Sequence, residues 1–162
     1  MIVIKSNASE IDPVNIDAET LENADLNGFN LHRALLSKAK LNGASLVEAN
    51  LRSAELDGAD LSYANLTRTL LMNVLFQQAN LAFANFQDSK PIGANFTGAN
   101  LQNADLTRAD VYAARFTDAN LAGAIMLCER IEDSSFENAK FNGQTVWPEG
   151  FDPIAKGAIR VE

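Results

Sequence analysis

Ala24-Asp25-Leu26-Asn27-Gly28, Ala59-Asp60-Leu61-Ser62-Tyr63 and Ala104-Asp105-Leu106-Thr107-Arg108 are one five-residue phrase, and the chain repeats it from Ala24 to Gly143 with unbroken spacing. The phrase is Ala, then Asp or Asn, then a large apolar residue, then two variable positions. Stepping by five from Leu26 to Phe141 gives 24 apolar centres, of which 14 are Leu and 6 are Phe, with Pro91, Val111, Met126 and Ile131 completing the set. Two residues before each centre, 18 of the 24 slots hold Ala; Phe29, Thr69, Val74, Ser89, Glu129 and Ser134 depart from it.

A period of five suits neither ordinary element. On a helix, successive centres step by about 140° and smear around the cylinder. On a straight strand they alternate between faces. Either way about half the Leu side chains would lie in water, at ~1.5–3 kcal/mol each. All centres reach one interior only if the chain turns a corner in every pentapeptide and winds into a coil stacked on itself. Seven of the nine glycines (Gly28, Gly43, Gly58, Gly93, Gly98, Gly123, Gly143) fall two residues after a centre, where a corner needs tight-turn angles.

Coils of 15 or of 20 residues are both conceivable. Phe76, Phe96, Phe116 and Phe136 favour 20, because that period stacks them as one ladder. Glu48, Arg68, Asp88 and Arg108 alternate in sign at the same step. The result is an all-β solenoid of about six complete coils, about 29 Å long at ~4.8 Å per layer.

On these repeats the sequence resembles the pentapeptide repeat family over about three quarters of its length. The resemblance implies a right-handed, four-sided parallel β-helix. The tail Thr145-Val146-Trp147-Pro148-Glu149-Gly150-Phe151-Asp152-Pro153 resembles the ending of many cyanobacterial members. One branch of the family, the quinolone-resistance proteins, resembles duplex DNA and binds gyrase through an acidic surface.

Three regions follow: an N-terminal cap and imperfect leading coil at 1–23, the repeat β-helix at 24–143, and a C-terminal cap at 144–162. In the first, Ile11, Ile16 and Leu21 keep the five-residue step without the Ala, with Met1–Lys5 as a short strand beside them. In the last, Val146 keeps the step, and Trp147, Pro148, Phe151, Pro153 and Ile154 supply a bulky lid. Open β-helix ends are an aggregation hazard, so each end calls for such cover.

Chemistry is sparse. The one histidine, His32, sits in an outward slot, which excludes a Ser-His-Asp or Cys-His set. Carboxylates such as Asp60, Asp105 and Asp110 recur in the repeat's own polar slot and read as solvated wall rather than acid/base pairs. The single Cys128 allows neither an internal disulfide nor a cysteine metal site. We therefore expect no enzyme, no cofactor and no metal. No run approaches the ~18 apolar residues of a membrane span, and the chain reads as cytoplasmic and monomeric.

Net charge is −8 overall, yet residues 24–143 hold 13 acidic and 10 basic residues and so carry only −3. No basic stripe exists to bind nucleic acid. The nearly balanced rod also argues against the alternative role, a DNA-mimic modulator of gyrase or topoisomerase. The expectation is a structural, protein-binding module. Its candidate partner site is where outward slots turn apolar: Leu70, Met72, Ile92 and Tyr112, with Tyr63 and Phe83 at the rim.

Overall fold

Each pentapeptide solves the same hydrogen-bonding problem, and the solution explains the phrase. In the computed structural model, which describes residues 2–7, 12–16 and 20–162, the N–H of a centre donates to a carbonyl 19 residues on, as Leu66 does to Asn85 at 2.7 Å. The corner residue two positions later does likewise, Arg68 to Gln87 at 3.0 Å. The next residue closes a turn back to the centre, Thr69 to Leu66 at 3.2 Å, and the polar-slot residue donates one coil backwards, Asn65 to Ala44 at 2.9 Å. One N–H per pentapeptide remains, on the residue after the centre. The Asp or Asn side chain takes it: Asn65 Oδ1 accepts from the Thr67 N–H at 3.1 Å, and Asp105 Oδ1 from the Thr107 N–H at 2.9 Å. The polar slot is therefore a fifth hydrogen-bond acceptor, which a reading of it as solvated wall had missed.

Parallel bridges join residues 20 apart, from Asp25–Ser45 through Asn120–Lys140, so the coil closes after four corners. Corner residues have positive φ, including Tyr63 at 59°, Arg68 at 56° and Phe83 at 60°. A positive φ at the third turn position is the type II geometry that glycine fits best. Here many corners are bulky, each at a cost of about 1 kcal/mol or more. Cross-coil contacts offset that cost.

The interior is the two inward columns. Every centre from Leu26 to Phe141 is buried, and Phe76, Phe96, Phe116 and Phe136 stack with centroids 5.2, 4.9 and 5.0 Å apart. Phe86 meets Phe76 and Phe96 edge-on at 6.2 and 6.0 Å. The hydroxyls that replace inward Ala are satisfied: Thr69 Oγ1 donates to the Leu46 carbonyl at 2.8 Å, Ser89 Oγ to Phe86 at 2.6 Å, and Ser134 Oγ to Val111 at 2.7 Å. Pro91 has no N–H to give, and the ladder skips Lys90–Asp110 as that loss requires.

Unbroken spacing does not mean unbroken register. Asp110 pairs with Glu129 rather than Arg130, and a 3-10 turn at Ile131–Asp133 restores the step before Ser135. Glu129 is thereby exposed in an outward slot, which explains why this Ala position tolerates a carboxylate. Ile125 then pairs with Val146, 21 residues on, and Val146 is 44% exposed. Contrary to the sequence reading, Val146 does not keep the inward step. Trp147 turns in instead, edge-on to Phe136 at 5.5 Å and Phe141 at 5.6 Å, and stacked on Phe151 at 5.3 Å.

At the start, β1 (Ile2–Ile4) pairs antiparallel with β2 (Val14–Ile16). Neighbouring Ser6 bridges Ala34, also antiparallel, with the Leu35 N–H donating to the Lys5 carbonyl at 2.8 Å. Ile11, with residues 8–10 and 17–19 of the proposed leading coil, lies outside the described residues. At the far end β3 (Lys140–Phe141) pairs in parallel with β4 (Ile159–Arg160).

Candidate partner-binding face

Each wall presents two outward columns, one on either side of its centres, and a corner column at its edge. On the wall centred on Leu31, Leu51, Leu71, Pro91 and Val111, one outward column runs His32, Arg52, Met72, Ile92, Tyr112. Met72 and Ile92 are half-buried and Tyr112 is 43% exposed. Leu70, also half-buried, lies across the Leu71 centre in the column Asn50, Leu70, Lys90.

These four are neighbours on one wall. Leu70 and Lys90 cannot supply the side-chain acceptor that Asp110 gives the Tyr112 N–H at 3.3 Å. Among the described residues the N–H groups of Met72 and Ile92 have no acceptor. The wall thus combines apolar side chains with two outward backbone donors.

Tyr63 and Phe83 are brought together with each other, not with Met72. Their rings lie 4.8 Å apart and 1° from parallel, with Tyr63 66% and Phe83 48% exposed. Their corner follows the Leu61 and Leu81 centres, so the wall of Leu66 and Phe86 separates them from the Met72 column.

One residue of the site escaped the sequence reading. The Arg130 guanidinium lies 4.6 Å over the Tyr112 ring and forms a two-pronged ion pair with Asp110, its Nε donating to Oδ1 at 2.8 Å. The slip at Glu129 puts Arg130 there, and spacing alone did not reveal that slip. The hydrogen bonds that the guanidinium donates to Asp110 hold the Arg130 pKa up.

Cys128 is partly buried against the core, and burial pushes its thiol well above the ordinary range, so it is a poor nucleophile. His32 is half-buried. Among the described residues no cluster of His, Cys, Asp and Glu could hold a metal, and no helix is long and apolar enough to cross a membrane.

Residues 20–52, 34–73, 54–90 and 75–111 match the family of pentapeptide repeats, with 8 copies. Those segments span more than half of the chain, which belongs to the pentapeptide repeat family, whose members form right-handed four-sided β-helices.

Among solved structures, the chain is similar to the pentapeptide repeat protein Rfr23 from the cyanobacterium Cyanothece 51142. The identity is 31%, with 60% of this chain and 67% of that one covered and a TM-score of 0.57. It is similar also to alr5209 from Nostoc Pcc 7120, at 29% identity, 63% and 84% coverage and a TM-score of 0.58. HetL of Nostoc sp. strain PCC 7120, involved in heterocyst differentiation regulation, shares the fold at 23% identity, 83% and 71% coverage and a TM-score of 0.51. None of the curated proteins matches the chain.

Proposed function

We propose that this chain is a non-enzymatic interaction module: a rod of about six coils, closed by segments 1–23 and 144–162, that works as a cytoplasmic monomer and offers a rigid face to a protein partner. The face is Leu70, Met72, Ile92 and Tyr112, with Tyr63 and Phe83 forming a further edge across one wall. The observation that carries this reading is the run of apolar residues on successive coils. It falls in slots that elsewhere hold mostly Asn, Asp, Ser, Thr or Gln, and at Met72 and Ile92 the side-chain acceptor for the backbone N–H is lost as well. A column at ~4.8 Å spacing is stiff, so docking on it costs little conformational entropy. Aromatic and Met side chains are also the types enriched at interface centres.

The test is a double variant, Met72→Arg with Tyr112→Glu. Both side chains point outward, so circular dichroism and melting temperature stay near those of the parent. Binding partners captured by the parent are lost. Retention of every partner by a folded double variant would show that the column is wall packing.

A further inference from the structure

Tyr63 ends an aromatic stack with one ring face open. Its corner column runs Gly43, Tyr63, Phe83 at steps of twenty. Phe83 covers one face of the ring at 4.8 Å. On the other side the next layer is Gly43, which has no side chain, and a cleft opens there, lined by Tyr63, Gly43, Glu22, Lys40, Asn42 and Asp60 among others. The side chain of Asn23, one coil further along, leans toward the place where a Gly43 side chain would begin and adds a carbonyl acceptor to the cleft.

The chemistry around this opening selects a planar cation. The cleft, closed at its root by Asn23 Oδ1 and open beside the ring, has room at ~4.8 Å layer spacing for one flat group against Tyr63. Two carboxylates, Glu22 and Asp60, face one ammonium, and that ammonium is held loosely: Lys40 Nζ is 4.0 Å from Glu22 and its side chain is 77% exposed. Asp60 Oδ1 already accepts from the Ser62 N–H and from Asn80 Nδ2, each at 3.0 Å, whereas Oδ2 has no partner among the described residues.

A related contact occurs elsewhere in the molecule, on a wall rather than at a corner. At Tyr112 a guanidinium lies over the ring and is gripped by Asp110, and ring and carboxylate belong to one pentapeptide. Tyr63 and Asp60 also share one pentapeptide, and among the described residues no guanidinium lies over that ring. Guanidinium stacks on aromatic faces and bonds carboxylates with several donors at once, which an ammonium does not.

We infer that the Tyr63 cleft receives the guanidinium of an arginine side chain on a protein partner. The inference rests on the module reading above and names the chemistry of one contact. A phosphate-bearing ligand is disfavoured by the two carboxylates.

The probe is the capped tripeptide Ac-Gly-Arg-Gly-NH2, titrated into the full-length, 15N-labelled protein, with its lysine and citrulline counterparts as controls. The arginine peptide should produce saturable shifts of the Gly43, Asp60 and Tyr63 amide signals, weakened by added salt. The lysine and citrulline peptides should bind at least about threefold more weakly. Tyr63→Ala should weaken arginine binding by at least the same factor, as should Asp60→Asn, which keeps the bond to the Ser62 N–H and hence the turn.

Absence of saturation, equal binding of the three peptides, or undiminished binding by either variant with an otherwise unchanged spectrum overturns the inference. The Met72→Arg, Tyr112→Glu double variant should bind the peptide as the parent does. If the peptide does not bind but that variant still loses its partners, the cleft is wrong and the module reading stands. If the peptide binds and the variant keeps every partner, the Met72 face is wrong and the cleft stands.

Discussion

Leu66 and Thr67 are adjacent, yet their side chains lie on opposite sides of the wall. Leu66 is fully buried mid-rod; Thr67 is half-buried, and its hydroxyl donates to Asn65 Oδ1 at 2.6 Å. Leu66→Ala should therefore cost about 2–5 kcal/mol in denaturant unfolding, through lost burial and the cavity left behind. Thr67→Ala should cost about 1 kcal/mol or less, the worth of one partly exposed hydrogen bond. Equal costs would mean the inward and outward slots have been exchanged. Asp105 makes a second prediction at this scale. Burial pushes its pKa up, but hydrogen bonds from Thr107 and Gln87 outweigh that and hold it below the ordinary 3.8. A depressed carboxylate stabilises the fold above its unfolded pKa, and the contribution is lost as pH falls through the folded one. Melting temperature should accordingly fall on acidification from about pH 5 to about pH 3, and fall less in Asp105→Asn, which keeps the turn acceptor but cannot titrate.

The element of this fold is the corner, and corners are paired along the axis. A Cβ on Gly123 would come within 2.2 Å of Asn103 Oδ1, the side chain one coil before it, and one on Gly43 equally close to Asn23 Oδ1. A Cβ on Gly28 would meet nothing within 4 Å. All three corners have φ near 70°, so Ala at any of them carries the same backbone strain of about 1 kcal/mol. Gly123→Ala should cost more than Gly28→Ala in thermal unfolding, and Asn103→Ala should remove most of the excess; purely additive effects would deny the pairing. The corners also mark what the sequence could and could not convey. Phe and charge columns at steps of twenty disclosed the coil length, because stacked layers place like slots in contact. The slip at Glu129 was hidden, because Met126 and Ile131 keep the spacing of five while a tighter turn and a 3-10 turn redistribute a residue between them. For the same reason Arg130 over Tyr112 was not legible: its position depends on a backbone adjustment, not on a residue pattern. Tyr63 and Phe83 were legible as a stack, but the open face beside Gly43 needs the third dimension.

At the scale of the whole molecule, a stack of nearly identical layers has no natural stopping point, so its ends must be made different. Trp147 and Phe151 meet Phe136 edge-on at 5.5 and 5.6 Å, and β4 pairs with β3 along the last layer. Deleting residues 145–162 would uncover Phe136 and Phe141 together with a row of unpaired backbone groups. Burying an aromatic side chain is worth ~1.5–3 kcal/mol, and an open parallel edge is a template for another chain. The truncated protein should therefore melt at lower temperature and associate end to end, visible as a concentration-dependent shift in light scattering or sedimentation. Replacing Trp147 and Phe151 by Ser in the full chain should lower the melting temperature without the association, because β4 still covers the edge. A truncated chain that remains monomeric with the parent's melting temperature would mean that the last coil closes itself, and that the tail serves some purpose other than ending the rod.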